Sequence, residues 1–483
     1  MAAKDIIKVL SKPSVSLKEM SLPDDVKLSE NNTNHIVGKG GTGTKDSAGA
    51  LKPLVFINSV YVNDIEYLCI DETEDIPKLK IIFKDTLGEL NGSNYPKNDP
   101  IVSVYIKTQS EKFKPIRCDF LIKEMKAIGE ENTAFSIYGE LYIPKLYNNV
   151  SKSYRNMSSK EAMLELAKDI NLGYAQNEFS TSDTMTWINS NNNYLDFISH
   201  ISKHAYKDDD TFFTSFIDKY YNVNLIDVAE QLNISSDINM THQNTANAML
   251  QNPTTEISEM PGGSEFDDIL IPIYLSNNPV DIGRPQFIND YRLSGEVGSI
   301  LRNRGYRHQI YYYDHKLKDD KFTSFYVNPI NVKGYKNRDL SLIPDDEILR
   351  SNLIKKWQSI DYGNAHSEWH AANTINEHNN IELNKVKMNV ITEGVNFQVI
   401  RGTGVFVSIY KDPDSSKIQQ SSRKETSALV DDAKDTPVID DTLSGKYYVS
   451  GTKYIYDSNF ETYKYKTLFQ LRKMNWKAEK NVL

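Results

Sequence analysis

The sequence predicts an α+β chain in which two antiparallel β domains flank a small α/β module. Three observations carry this. Residues 158–232 show helical apolar spacing broken by a β-rich run, whereas 54–147 and 385–475 alternate apolar and polar side chains with a period of two. The alternating stretches are separated by turn chemistry such as Asn91-Gly92 and Asn98-Asp99-Pro100. The chain carries 29 tyrosines, whose apolar body and polar tip suit sheets and interfaces.

The middle module is the most legible part. Ser158 followed by Glu161 is a capping box, in which each side chain satisfies an orphan N–H of a first helical turn. Ala162, Met163, Leu166, Ala167 and Ile170 form the inner face of that helix, and Gly173 is expected to stop it. A polar turn is expected next. A second helix presents Tyr194, Phe197, Ile198, Ile201 and Ala205 on one face. Beyond Lys207-Asp208-Asp209-Asp210, Thr211–Asp218 reads as a strand and Leu225–Leu232 as a third amphipathic helix.

On the N-terminal side, residues 1–53 read as a flexible arm, with no aromatic residue from Ser21 to Pro53. Residues 54–147 are expected to form the first β domain, a small barrel or sandwich. Its strands are Leu54–Val62, Leu79–Phe83, Ile101–Lys107, Pro115–Met125 and Thr133–Ile143. The module with its linker spans 148–263, and the linker carries one short helix at most. Residues 264–384 read as a mixed α/β segment. It holds a strand at Ile269–Leu275, pushed to an edge by Pro272, and a hairpin within Tyr306–Val327. Residues 385–483 form the second β domain: Val386, Met388 and Val390 alternate, then Val405, Val407 and Ile409, then Gly445–Tyr456 and Tyr463–Asn475. A disordered insertion is expected at 413–441, and the strands on either side of it should pair.

Composition excludes several classes. The formal net charge is −9 over 483 residues, and no basic stripe marks a phosphate-backbone binder. Cys69 and Cys118 lack a partner motif, so neither a disulfide framework nor a zinc ribbon is expected, and a reducing compartment fits. No stretch approaches the ~18 apolar residues of a membrane span, and the N-terminus has no signal-type apolar region. A chain made and kept soluble in the cytoplasm without membrane insertion, or released by a route other than secretion, follows as the expectation.

Motifs that could carry chemistry fall short. Gly38–Lys45 imitates a phosphate loop, but Thr44 stands where lysine is needed and Asp46 follows Lys45. His366 and His370 are four apart and could share a helix face toward zinc, with His378 or Glu377 as a third ligand. Ser367 nevertheless replaces the glutamate of the peptidase motif. An exposed helix with two solvated histidines is the plainer reading. Lys207–Asp210 lacks the glycine and terminal glutamate of a calcium loop and reads as a solvated turn. No catalytic, cofactor-binding or metal-binding residue is therefore assigned, and no cofactor is expected.

Several of these segments resemble a known family. In order, they are the Ser158 helix, the isolated Trp187, Ala205-Tyr206, the acidic run, and the Phe212–Tyr221 stretch with its paired phenylalanines and tyrosines. Gly402-Thr403-Gly404 before Val405, Leu443–Gly451 and Tyr465–Lys473 complete the set. Together they resemble the baseplate hub proteins of contractile-tailed phages, which are related to the trunk of the type VI secretion spike protein. The resemblance implies a homotrimer in which each chain carries two β-barrels related by a pseudo-repeat. Six barrels would then adapt a threefold central spike to a sixfold tail tube. It implies spike, tail-tube and neighbouring baseplate proteins as partners, a place in the virion tail, and a passage for genome DNA. The acidic balance fits a wall that does not grip phosphates. The competing expectations are a tail-associated cell-wall hydrolase with a zinc or carboxylate site, and a tandem β-domain binding module.

Overall fold

Strand β21 (Gly445–Asp457) is the element on which the two β segments meet. The computed structural model describes residues 52–86 except 59 and 63, then 88, 90, 96, 100–106, 116–128, 134–177, 180–233, 239–242, 287–288 and 290–295. It further describes 307–314, 323–327, 353–360, 365–384, 386–393, 395, 401–408, 443–460 and 464–474. Gly38–Lys45, the strand expected at Ile269–Leu275 and the insertion at 413–441 lie outside these residues.

The first β segment contains β1 (Leu54–Ile57), β2 (Val60–Val62), β3 (Asp64–Asp71), β4 (Lys78–Lys84), β5 (Ile101–Ile106), β6 (Ile116–Ile128) and β7 (Ala134–Leu141). The module follows with β8 (Asn149–Met157), α1 (Ser159–Asp169), β9 (Gly173–Gln176), β10 (Met185–Asn193), α2 (Tyr194–His204), β11 (Phe213–Ile217), β12 (Asn222–Asp227) and α3 (Val228–Asn233). Next come β13 (Asn239–His242), β14 (Phe287–Ile288), β15 (Asp290–Gly295), β16 (Arg307–Asp314), β17 (Thr323–Val327), β18 (Leu353–Ile360) and α4 (Trp369–Glu382). The last segment is β19 (Val386–Glu393), β20 (Gly404–Ser408), β21 and β22 (Tyr465–Lys473).

Among the described residues, the strands expected to form two β-barrels are joined through β21. They form one sheet in the order β14-β13-β20-β21-β3-β4-β7-β6-β5-β1-β2, from which β22, β19 and β15 branch at β21. No ladder among the described residues closes on itself. The reason lies in β21, which is long enough to serve two cores. Its start, Tyr447 and Val449, packs with Val386, Met388, Val390, Val405, Val407, Phe469 and Leu471. Its end, Tyr454 and Tyr456, joins the core of the first segment and the module. There Lys453 to Asp457 pair antiparallel with Asp71 to Tyr67 of β3.

Other expectations meet their outcomes locally. The capping box at Ser158 and Glu161 is formed in both directions, and the five residues of the inner face are buried. The left-handed stop is Asn171, at φ 59°, rather than Gly173, which begins β9. The polar turn expected after α1 is instead β9 and β10, the latter paired antiparallel with β8. Leu225–Asp227 belongs to β12, not to a helix. β12 is buried along its whole length between β11 and β9, so pairing on both sides overrides helical spacing. The hairpin within Tyr306–Val327 is present as β16 and β17, and β20 pairs with β21 across the insertion.

Candidate assembly core

The hairpin turn between β11 and β12 is tied by Asp218. Its carboxylate accepts from the backbone N–H groups of Tyr220 at 2.8 Å and Asn222 at 2.9 Å, and from the side-chain amides of Asn222 and Asn224. Tyr221 takes φ 62° to close the turn. Burial pushes the Asp218 carboxyl up, and the Asn222 bonds oppose that push. The turn projects Lys219 into the interior, against β3 and β21.

There Lys219 Nζ donates to Glu72 Oε2 at 3.0 Å and to Tyr454 OH at 3.0 Å. Its ammonium also lies 4.6 Å from the Tyr454 ring centroid and 4.8 Å from that of Tyr220. Glu72 is filled from all sides: Oε1 accepts from Lys219 N at 2.8 Å, and Oε2 also accepts from Thr452 Oγ1 at 2.9 Å. Burial alone would lower the Lys219 pKa, but the Glu72 carboxylate, Tyr454 and Tyr220 hold it well above the ordinary lysine value. Cys118 of β6 donates through Sγ to Lys219 O, and Asp119 N donates to Tyr221 OH at 2.8 Å. One turn of the module therefore fastens β3, β6 and β21. Buried and bonded to Lys219 and Thr452, the Glu72 carboxylate acts as a structural fastening.

Close backbone approach surrounds the knot. A side chain on Gly451 would stand 2.8 Å from Thr73 Cα, and one on Gly404 would stand 2.2 Å from Gln231 O. Gly402, at φ 95°, lies against Phe216 and Ile226. Arg401 covers the Phe216 ring at 4.2 Å and donates to Glu74 O.

A second seam joins α2, β11 and α4. Asn376 Nδ2 donates to Lys203 O at 3.0 Å and Ala205 O at 2.8 Å, which satisfies carbonyls at the end of α2. Its Oδ1 accepts from Phe213 N at 2.8 Å, and Asn380 Nδ2 donates to Phe213 O at 2.9 Å. Two side-chain amides thus cap the outer edge of β11 as a neighbouring strand would. A cleft of about 630 Å³ lies beside them, lined by Asp75, Lys203, Ser215 and Glu377 among others.

The histidines of the sequence reading belong to this seam. His366 precedes α4 and is buried, with its Nε2 3.0 Å from His204 O. This corrects the expectation of a solvated pair on one exposed helix; the His370 side chain lies outside the described residues. His204 stacks on Trp369 at 3.6 Å and 9°, and its Nδ1 is 2.9 Å from His200 O. Burial, with His200 adding, pushes His204 down to about 3, and burial also lowers His200 and His366. No group of three or more metal-ligating side chains stands together among the described residues. Asp208, Asp209 and Asp210 form an exposed turn, as read. Sequence reasoning missed Glu72 and Lys219, because neither sits in a motif; the one available signal was a lysine inside an aromatic run.

No family model matches the sequence, and no curated protein matches it. Solved structures do. A tail protein from Neisseria meningitidis is 8% identical, with a TM-score of 0.44 over 88% of this chain and 98% of that one. The 43 kDa tail protein of prophage MuSo2 from Shewanella oneidensis is 9% identical, with a TM-score of 0.49 over 87% and 97%. A type VI secretion component of E. coli, itself described as similar to tail proteins of bacteriophage T4, is 7% identical, with a TM-score of 0.40 over 86% and 76%. The structures this chain is similar to are phage tail and type VI secretion proteins. At these scores the likeness carries no function across.

Proposed function

We propose that this chain is the structural hub of a contractile tail baseplate: a homotrimer that joins the central spike to the tail tube and lines the passage for DNA. The role is mechanical. One observation supports it above the others. Three of the segments on which the family resemblance rests are far apart in the sequence, yet they meet at one place. Phe212–Tyr221 supplies Lys219 and Phe216, Leu443–Gly451 begins the strand that carries Tyr454, and Gly402-Thr403-Gly404 packs against Phe216 and Gln231. A hub must transmit force between a spike and a tube without its parts shifting, and a buried, densely hydrogen-bonded joint between its β segments serves that need. Two β segments per chain would give six in a trimer, and a ring of six matches a sixfold tube. The division into arm, first β domain, module, mixed segment and second β domain belongs to the same reading.

The test is an image reconstruction of the particle that carries this chain. Three copies on the tail axis, between spike and tube, are expected. A peripheral position, or a copy number other than three, would overturn the reading.

A further inference from the structure

The outer edge of β11 presents backbone groups at every second residue. At Phe213 they are bonded by the Asn376 and Asn380 side chains, and at Ile217 the N–H donates to Asp75 O at 2.8 Å. Ser215 lies midway between the two. In an antiparallel ladder, alternate residues turn both backbone groups toward or away from the partner strand. Ser215 has the parity of Phe213 and Ile217 in its pairing with β12, so its N–H and C=O face away from β12. They point into the cleft that β11 shares with α2 and α4. Burial along the strand fits this: Phe213, Phe216 and Ile217 are buried, whereas Thr214 and Ser215 are half-buried.

The walls follow from the same alternation. Phe213 and Ile217 share a core with Phe197, Ile198 and Ile201 of α2, and Phe216 shares another with Ala371 and Ile375 of α4. The cleft is therefore a slot at the edge of the sheet β11-β12-β9, with a helix over each face. Its α2 wall offers Leu195 and Ile198. Two carboxylates, Glu377 on the α4 wall and Asp75 at the Ile217 end, stand against one ammonium, that of Lys203. Its volume of about 630 Å³ falls within the roughly 300–1,000 Å³ of pockets that take small ligands.

We propose that this slot binds an extended peptide, which adds to β11 as a short antiparallel strand bridged at Ser215. One peptide residue exchanges both of its backbone hydrogen bonds with Ser215, as an antiparallel pair does. Its side chain points the same way as that of Ser215, toward Leu195 and Ile198, and is apolar. The residues on either side of it point toward the α4 wall and are basic, to match the carboxylates. One place further along, Asn376 and Asn380 at Phe213 and Asp75 at Ile217 stop the ladder. Recognition thus reads a basic-apolar-basic run in a segment of another protein. The site stands whether or not the chain is a hub.

The probe is the peptide acetyl-Thr-Lys-Val-Lys-Thr-amide, added to the full chain. Hydrogen exchange at the Ser215 amide is expected to be fast in the chain alone and to slow about tenfold at millimolar peptide. Methylating the valine nitrogen removes the N–H that Ser215 O accepts, and is expected to abolish the protection. Glu377 is exposed, so Glu377→Lys is expected to leave the fold intact. That variant is expected to weaken this peptide about tenfold and to bind acetyl-Thr-Glu-Val-Glu-Thr-amide in its place. Slow exchange at Ser215 before peptide is added, whether this chain or a second copy fills the slot, would overturn the proposal. So would the absence of protection, or protection that survives methylation of the valine. Protection in a chain found off the tail axis would keep this site and remove the hub reading; a chain on the axis whose Ser215 stays unprotected would do the reverse.

Discussion

Lys219 and Glu72 form an ion pair 147 residues apart in sequence, with side chains only 1% and 2% exposed. Removing one partner strands a buried charge, so Lys219→Met is expected to destabilise the chain by about 3–5 kcal/mol. The double variant with Glu72→Leu is expected to cost clearly less than the sum of the singles. Denaturant unfolding of the four-member cycle measures this. Additive losses would show that the two charges do not act as a unit.

Acid should loosen the joint between α2 and α4. The folded pKa of His204 is depressed to about 3 by burial, while the unfolded chain takes up its proton near pH 6.5. The unfolded state therefore binds more protons below about pH 6.5, and stability falls as pH drops from there toward 3. His200 and His366, also lowered by burial, act in the same sense. Asp227 works against them: burial pushes it up to about 6, so it favours the folded state as pH falls from about 6 toward 4. The comparison that isolates the histidine is the unfolding midpoint at pH 7 and pH 5 for wild type and His204→Phe. The variant is expected to lose less stability between the two.

Asn376 is asked to bond both a strand edge and a helix end. Asn376→Ala removes the bonds to Phe213 N–H and to the Lys203 and Ala205 carbonyls, with an expected loss of about 2–4 kcal/mol. Asn376→Asp keeps the acceptor for Phe213 but turns a carboxylate oxygen toward the carbonyls, and it should be worse than alanine. Thermal unfolding ranks them, and hydrogen exchange at Phe213 is expected to accelerate in the alanine variant.

Gly451→Ala tests how tightly β21 rests on the chain after β3. The new methyl would stand 2.8 Å from Thr73 Cα, a backbone atom that cannot swing aside. A loss of at least 1–3 kcal/mol is expected, from overpacking. Ser450→Ala, next to it, loses only one bond, to Gln470 O, and should cost about 1 kcal/mol.

Much of this fold could be read from the residues one stretch at a time. The capping box at Ser158, the faces of α1 and α2 and the alternation in β19 are local patterns, and each is present. What escaped was set by distant neighbours. β3 is missing from the expected strands, although its Leu68 and Ile70 are wholly buried and it pairs with β4 and with β21, far along the chain. β8 and β10 are rich in Ser, Asn and Lys and support each other as a two-stranded pair, so neither shows an apolar rhythm. The joint of Lys219 with Glu72, Thr452 and Tyr454 has no local signature, since its members come from three separate parts of the chain.

The pairing of β3 with β21 also sets a timetable for synthesis. Lys453 is 382 residues beyond Asp71, so at about 5–20 residues per second the ribosome needs roughly 20–80 s between delivering the two. Throughout that interval the emerging N-terminal half carries the β3 edge unmated and Glu72 without Lys219 for the first part of the wait. A newborn chain must be shielded, or must hold a provisional arrangement, until its final strands arrive.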